Sequence, residues 1–372
     1  MKKLYFVMAL ILIASMVLTA CGATAPAATE APAAATEAPA AATEAPAAAT
    51  EAPAAATDCF SKEVFCVGVV TDVGKVDDKS FNQSAWEGVQ KSQADGVADV
   101  IQYIETTDAK DYAKNIAQFG DAGYDVIVTV GFALGEATVA AAATYPDVRF
   151  IGVDQFQGAT VAGVTGLNFP EDNAGFLVGA LAAQMSKSGK IGGVFATDAV
   201  PPVWRFGEGY RAGIAYINPD AEVSIVYHND VGFDKTFVDP EWAANAANSM
   251  IDQGVDVIFA GGGKTGNGAV VAAAQRGIYA IGVDTDQYYT LPEASTRILS
   301  SAMKLIVPGV ANLIAAAKDG SIVDGNFMGD AGYAPFHDLD GEVPAEVKAK
   351  MEEIAAGLLD GSIKTNVAPV KP

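Results

Sequence analysis

Residues 67–86 read VGVVTDVGKVDDKSFNQSAW. The apolar run Val67-Gly68-Val69-Val70 has the look of a buried strand, and it ends on Thr71-Asp72. A loop rich in Gly and Asp follows. Ser80-Phe81-Asn82-Gln83 then opens a helix that runs past Trp86 towards Gln93. Ser80 is the expected N-cap, and Gln83, three residues on, completes a capping-box pattern. A strand that feeds a helix through a polar loop is half of a βαβ unit. Sheets built from such units bind ligands at the carboxyl ends of their strands. Asp72, Phe81 and Asn82 are expected at that end, supplying an acceptor, an aromatic face and an amide.

Outward from this stretch, strands and helices alternate. Strands are expected over residues 100–103, 126–130, 149–153 and 161–169, with helices over 108–122 and 134–145 between them. The pattern then restarts. Strands over 190–196, 222–227, 257–260 and 279–283 are separated by helices over 173–185, 202–217, 240–253 and 266–276, and further helices fall over 307–317 and 345–358. Phe150–Gln155 (FIGVDQ) is echoed by Ala280–Gln287 (AIGVDTDQ), and each puts Gly-Val-Asp at a strand's end. The fold class is therefore α/β, with two doubly wound parallel-sheet lobes and a ligand cleft between them. One sheet carrying all these strands would be too large for a single core.

The N-terminal part reads differently. Residues 4–17 are almost wholly apolar and follow Lys2 and Lys3. About 14 apolar residues are too few to span a bilayer and have the length of a signal-peptide h-region. Leu18-Thr19-Ala20-Cys21-Gly22 resembles the lipobox of bacterial lipoproteins. That resemblance implies a signal peptide over residues 1–20, cleavage before Cys21 and lipid on its thiol. The alternative is an ordinary secretory signal with a chance cysteine. Residues 23–57 are of low complexity, with A-T-E-A-P-A-A four times over, in the stretch 21–57 that follows the signal peptide. Proline breaks helix interiors and alanine alone makes no coiled-coil seam, so a disordered tether is expected. Cys59 and Cys66 precede the first strand; outside the cytoplasm they are expected either as a disulfide stapling this segment or as two free thiols. The formal net charge of -22 repels nucleic acid and argues against RNA or DNA as a partner, while leaving a small neutral ligand open.

Asp77-Asp78-Lys79-Ser80-Phe81-Asn82-Gln83, followed by Trp86-Glu87-Gly88, resembles the signature of the basic membrane protein family. Ile151-Gly152-Val153-Asp154, the stretch FGEGYRAG over residues 206–213, and Gly282-Val283-Asp284-Thr285-Asp286 add to the likeness. The resemblance covers residues 64–367. Tyr210 stands where the family often has phenylalanine, and Ala302-Met303-Lys304 after Ser300-Ser301 matches the family's Ser-to-Lys segment more loosely. This resemblance implies a lipid-anchored, extracytoplasmic substrate-binding protein of an ABC transporter, with the type I periplasmic-binding-protein fold. It implies a purine nucleoside as ligand, a permease as partner, a monomer, and no cofactor. It also divides the lobes. Lobe one takes residues 64–168 plus 288–322, and lobe two takes 169–287 plus 323–372, with crossings near Asn168, Asp286 and Gly325.

Each candidate site residue has a chemical reason as well. Phe81 and Phe206 offer faces on which a base stacks, and Phe132, just after a strand end, is a third aromatic. Each of these also reads as a packing residue. Asp154 and Asp284 can accept two hydrogen bonds at once, which suits vicinal ribose hydroxyls or the N–H edge of a purine. Asp72 shares their strand-end position, Asn82 combines donor and acceptor, and Lys304 is a donor to a ribose hydroxyl. Gly262 lies where the backbone approaches a ligand closely. Its neighbourhood, Gly261-Gly262-Gly263-Lys264-Thr265, fails as a phosphate loop because Ile258 occupies the first glycine position. An enzyme is not expected. The two histidines, His228 and His337, form no H-E-x-x-H, and no Gly-x-Ser-x-Gly elbow is present. Asp338-Leu339-Asp340-Gly341 lacks the rest of a calcium loop, so no metal is expected. Two rival readings stay open: a receptor for a sugar or another small polar ligand on the same fold, and a secreted nucleoside-processing α/β enzyme.

Overall fold

The computed structural model describes residues 59–372. The expected signal peptide (residues 1–20), the Cys21 lipidation site and the tether to residue 57 lie outside the described residues. Among those described, Cys59 and Cys66 are joined by a disulfide at the start of the first strand.

The strands are β1 (Cys66–Val73), β2 (Val100–Thr106), β3 (Val126–Val130), β4 (Arg149–Val153), β5 (Val164–Asn168), β6 (Lys190–Phe195), β7 (Glu222–Tyr227), β8 (Val257–Gly261), β9 (Tyr279–Asp284), β10 (Ile298–Lys304), β11 (Gly325–Met328) and β12 (Ala331–Tyr333). They form two six-stranded sheets of matching design. One runs β2-β1-β3-β4-β5-β11 and the other β7-β6-β8-β9-β10-β12. The first is parallel throughout, and the second is parallel except for β12, which runs antiparallel to β10. Helices cover both faces of each sheet, so the central strands β3, β5 and β8 are buried along their whole length. That is why they read as continuous apolar runs. Four apolar clusters result, one on each face of each sheet. No helix among the described residues is long and apolar enough to cross a membrane.

Within the described residues the chain changes lobes three times, and two of the changes differ from the sequence expectation. The first follows Asn168. The second was expected near Asp286, with residues 288–322 in lobe one. In the structure, Ile298–Lys304 instead pairs with β9 as β10 of lobe two, and the crossing falls at Leu305, between β10 and the helix Ile306–Asp319. Ser300 and Ser301 interrupt the apolar run and hid the strand. Both are buried, because Ser300 Oγ donates to the Ala334 carbonyl at 2.7 Å and Ser301 Oγ accepts from the Gln287 amide at 3.1 Å. The third crossing was expected near Gly325, with residues from 323 in lobe two. However, Gly325–Met328 pairs with β5 as β11 of lobe one, and the chain crosses between β11 and β12. The crossings are tied to one another: Gly329 N–H donates to the Asn168 carbonyl at 2.8 Å, and Leu305 N–H to the Asp330 carbonyl at 2.9 Å.

Candidate functional site

A cavity of about 280 Å³ lies between the lobes at the carboxyl ends of the central strands. This is the size and place expected of a small-molecule site in such a sheet. Asp72, Phe81, Asn82, Phe132, Asp154, Phe206, Gly262, Asp284 and Lys304 all line it. The structure thus brings together every candidate residue that the sequence put at strand ends and helix starts.

Lobe one's wall depends on how the helix Phe81–Ala94 begins. Ser80 makes no side-chain cap, contrary to the capping box read from the sequence. Gln83 does not reach back either, and its amide donates to Glu87 at 2.8 Å. The cap is Asp78, whose carboxylate accepts from the backbone N–H of Ser80 (2.9 Å), Asn82 (3.0 Å) and Gln83 (3.1 Å). An anion at the open N–H groups of a helix start is favoured twice, by hydrogen bonding and by the helix dipole. The Asn82 amide nitrogen donates to Asp72 Oδ1 at 2.9 Å and to Asp78 Oδ2 at 3.2 Å. Its Oδ1 is buried with no protein partner. Asn82 is thereby fixed between the two carboxylates at the cavity wall. Phe81 packs beside the lobe-one core and lines the cavity. Phe132 follows β3 and is 49% exposed.

Gly131 and Gly262 occupy corresponding places after β3 and β8, with φ of 109° and 106°. A Cβ at Gly131 would stand 2.9 Å from Asp72 Oδ2, and one at Gly262 would strike Ala196 Cβ. Each glycine lets the strand end pack closely at the point where strand order reverses. Phe206, on the helix Pro201–Ile217, belongs to the lobe-two core, meets Phe259 edge-on at 6.1 Å and also lines the cavity. Its packing and lining roles coexist.

The charged centre is Lys304, the last residue of β10, which is almost wholly buried. Its ammonium lies 2.5 Å from Asp154 Oδ2, 3.7 Å from Glu171 Oε1 and 3.8 Å from Asp284 Oδ1. Three phenyl rings surround it, Phe81 at 4.8 Å, Phe206 at 5.5 Å and Phe169 at 5.7 Å. Burial alone would lower the Lys304 pKa, but the Asp154, Asp284 and Glu171 carboxylates outweigh it and raise it. Burial also pushes Glu171 up, against the pull of Lys304, and Arg205 holds its other side at 3.0 Å. Asp284 is raised to about 6 by burial, opposed by Lys304 and by the Ser80 hydroxyl, which donates to Asp284 Oδ2 at 2.7 Å. Asp72 is raised to about 7 by desolvation, opposed by its bond from Asn82. Asp154 Oδ1, like Asn82 Oδ1, is buried with no protein partner.

With this geometry in view, the comparisons with known proteins are specific. The family model for the ABC transporter substrate-binding protein, PnrA-like (Bmp), matches residues 65–329. The chain belongs to this family. It is 31% identical to a CD4+ T-cell-stimulating antigen of Listeria monocytogenes, over 84% of this chain and 90% of that protein. It is 30% identical to the ABC transporter nucleoside-binding protein BmpA of Lactococcus lactis subsp. cremoris, over 70% of this chain and 77% of that one. A crystal structure of an ABC transporter solute-binding protein from Aeropyrum pernix superposes with a TM-score of 0.70 at 25% identity, covering 81% of this chain and 92% of the other. The fold is that of the periplasmic binding proteins, and the chain is a substrate-binding protein of an ABC transporter.

Several residues of this binding protein's cavity were not picked out from the sequence. Asp78 lies inside the quoted signature, but the capping-box spacing points to Ser80 instead. Val200, Pro202 and Val203 come from the start of a helix, and Phe233, Phe237 and Val238 from the connection between β7 and the helix Pro240–Asp252. That connection has no periodicity to mark it. It is anchored by the Thr265 hydroxyl, which donates to the Thr236 carbonyl at 2.8 Å and accepts from the Asp239 N–H at 2.8 Å.

Proposed function

We propose that this binding protein captures a purine nucleoside between its lobes and delivers it to an ABC permease. The observation that carries the proposal is the convergence on one cavity of two phenyl faces, Phe81 and Phe206, with the polar side chains of Asn82, Asp154, Asp284 and Lys304. A nucleoside has a flat ring for the first and N–H groups and hydroxyls for the second. The flat base stacks on the phenyl rings. Asn82 and Asp72 read the base edge. Asp154 and Asp284 accept from ribose hydroxyls or from the base, and Lys304 donates to the sugar. The name of the Lactococcus relative, a nucleoside-binding protein, points the same way. Closure occurs about the three crossings at residues 168–171, 304–306 and 328–331, a hinge of a few element-terminal residues. No covalent step is involved.

The protein is held at the outer face of the cell membrane by lipid on Cys21. A Cys21→Ser variant is expected in the soluble fraction, and its continued sedimentation with membranes would rule the anchor out. The ligand is tested by mass spectrometry of small molecules released from the purified protein on denaturation, with a purine nucleoside expected. Recovery of a free sugar would favour a sugar receptor. Release of free base from added nucleosides would mark an enzyme.

A further inference from the structure

The loop over residues 77–80 belongs to lobe one, yet most of its hydrogen bonds beyond its own helix go to lobe two. Asn267 Nδ2 donates to the Asp78 carbonyl at 2.8 Å. Gln287 Nε2 and Thr290 Oγ1 both donate to the Lys79 carbonyl, at 3.1 and 2.8 Å. Lys264 lies 3.4 Å from the Asp77 carboxylate, and Ser80 donates to Asp284 at 2.7 Å. The lobe-two donors are held within their own lobe. Gln287 is fully buried, its Oε1 accepts from Val283 N–H at 3.1 Å, and its amide nitrogen also donates to Asn267 Oδ1 at 2.8 Å. On the loop side, Lys79 has φ of 64°, a left-handed conformation that a lysine holds only when its surroundings fix it. That turn aims two successive carbonyls at lobe two. Asn267, Gln287 and Thr290 do not line the cavity.

We infer that this loop is a latch and that Asn267, Gln287 and Thr290 are its socket. They are positioning residues that set how long the ligand stays bound without touching it. The bonds join groups on different lobes, so opening the lobes breaks them and closing the lobes forms them. They therefore add free energy to the closed state alone, which is the condition for shifting an opening equilibrium. Ser80 makes the latch continuous with the site, because its hydroxyl holds one oxygen of Asp284 while the other faces Lys304. Loss of a latch bond speeds ligand escape and does not slow entry, which takes place in the open state.

The inference rests on the nucleoside reading only for its kinetic probe. Stopped-flow binding of adenosine is measured for the unchanged protein, Asn267→Ala, Thr290→Val and the double variant. Each single variant is expected to dissociate roughly three- to tenfold faster, the net worth of one neutral hydrogen bond, with association no slower than in the unchanged protein. Thr290→Ser keeps the donor and is expected to restore the original rate, which separates the latch from a general packing defect. Small-angle scattering without added ligand gives a second readout, with the double variant expected to have the larger radius of gyration. If adenosine does not bind the unchanged protein, guanosine and inosine replace it as probes, and if none of the three binds, the nucleoside proposal falls and scattering alone decides the latch. Original dissociation rates in the variants, or identical radii where no binding is seen, would overturn the latch.

Discussion

Asp154 and Asp284 are one device installed twice. Each closes a Gly-Val-Asp strand end, and each takes a left-handed backbone, with φ of 59° and 65°, which aspartate tolerates better than most residues. In both lobes the glycine of the triplet makes room for a downstream glutamine. A Cβ at Gly152 would collide with Gln155 Oε1, and one at Gly282 would stand 2.6 Å from Gln287 Oε1. Each aspartate is also engaged from the opposite lobe, and there the likeness ends. Asp154, in lobe one, is held at 2.5 Å by the Lys304 ammonium of lobe two. Asp284, in lobe two, is held at 2.7 Å by the Ser80 hydroxyl of lobe one. The same backbone therefore serves a close ion pair across the lobes on one side and a neutral donor across the lobes on the other, where Lys304 stands 3.8 Å away within the same lobe. The close ion pair binds the lobes through buried charge, whereas Asp284 meets Lys304 only at 3.8 Å.

The strongest way to break this contrast is to remove the cation. Lys304→Met leaves Asp154, Glu171 and Asp284 buried without their shared partner. Breaking a buried pair from one side costs about 3–5 kcal/mol. Urea denaturation is expected to show a loss of that order, and an unchanged midpoint would mean the three carboxylates do not depend on Lys304. Asp284→Asn tests the other side. It keeps shape but trades an acceptor for a donor, so binding is expected to weaken by about 1.5–3 kcal/mol, or roughly ten- to a hundredfold. Its effect on stability should be smaller than that of Lys304→Met. Phe81→Ala is expected to cost about 1–3 kcal/mol of binding equally for every base, because stacking accepts any ring. A loss confined to one base would assign Phe81 a reading role.

Acidity sharpens the same comparison more gently. Asp284 and Asp72 have pKa values raised to about 6 and about 7, both led by desolvation. The folded state binds their protons more tightly than the unfolded chain does. Their stabilising contribution is thus full below about pH 4 and is lost as pH rises through 6 and 7. The melting temperature of the ligand-free protein should fall between pH 5 and pH 8, and Asp72→Asn should flatten part of that fall. A melting temperature that rose over this range in the unchanged protein, with the same slope in the variant, would contradict the assignment.

Much of this was legible in the sequence because it is written in local patterns. Strands buried on both faces appear as apolar runs, and the Gly-Val-Asp echo announces two lobes of one design. Strand ends and helix starts carry the cavity residues, so Asp72, Phe81, Asn82, Asp154 and Asp284 could be named from their positions. What was hidden depends on contacts distant in sequence. β10 was missed because Ser300 and Ser301 look polar until Ala334 and Gln287 supply their partners. Ser80 was read as a cap because its cross-lobe bond to Asp284 spans 204 residues, while Asp78 took the capping role. Lys304 was read as a sugar donor, and its close pairing with Asp154 spans 150 residues.

The central claim, a nucleoside held between the lobes, is tested most directly by titration calorimetry with adenosine, guanosine, inosine, uridine and ribose. The account predicts saturable binding of the purine nucleosides, weaker binding of uridine, and little or none of free ribose. Ribose binding as tightly as adenosine, with no gain from the base, would contradict it.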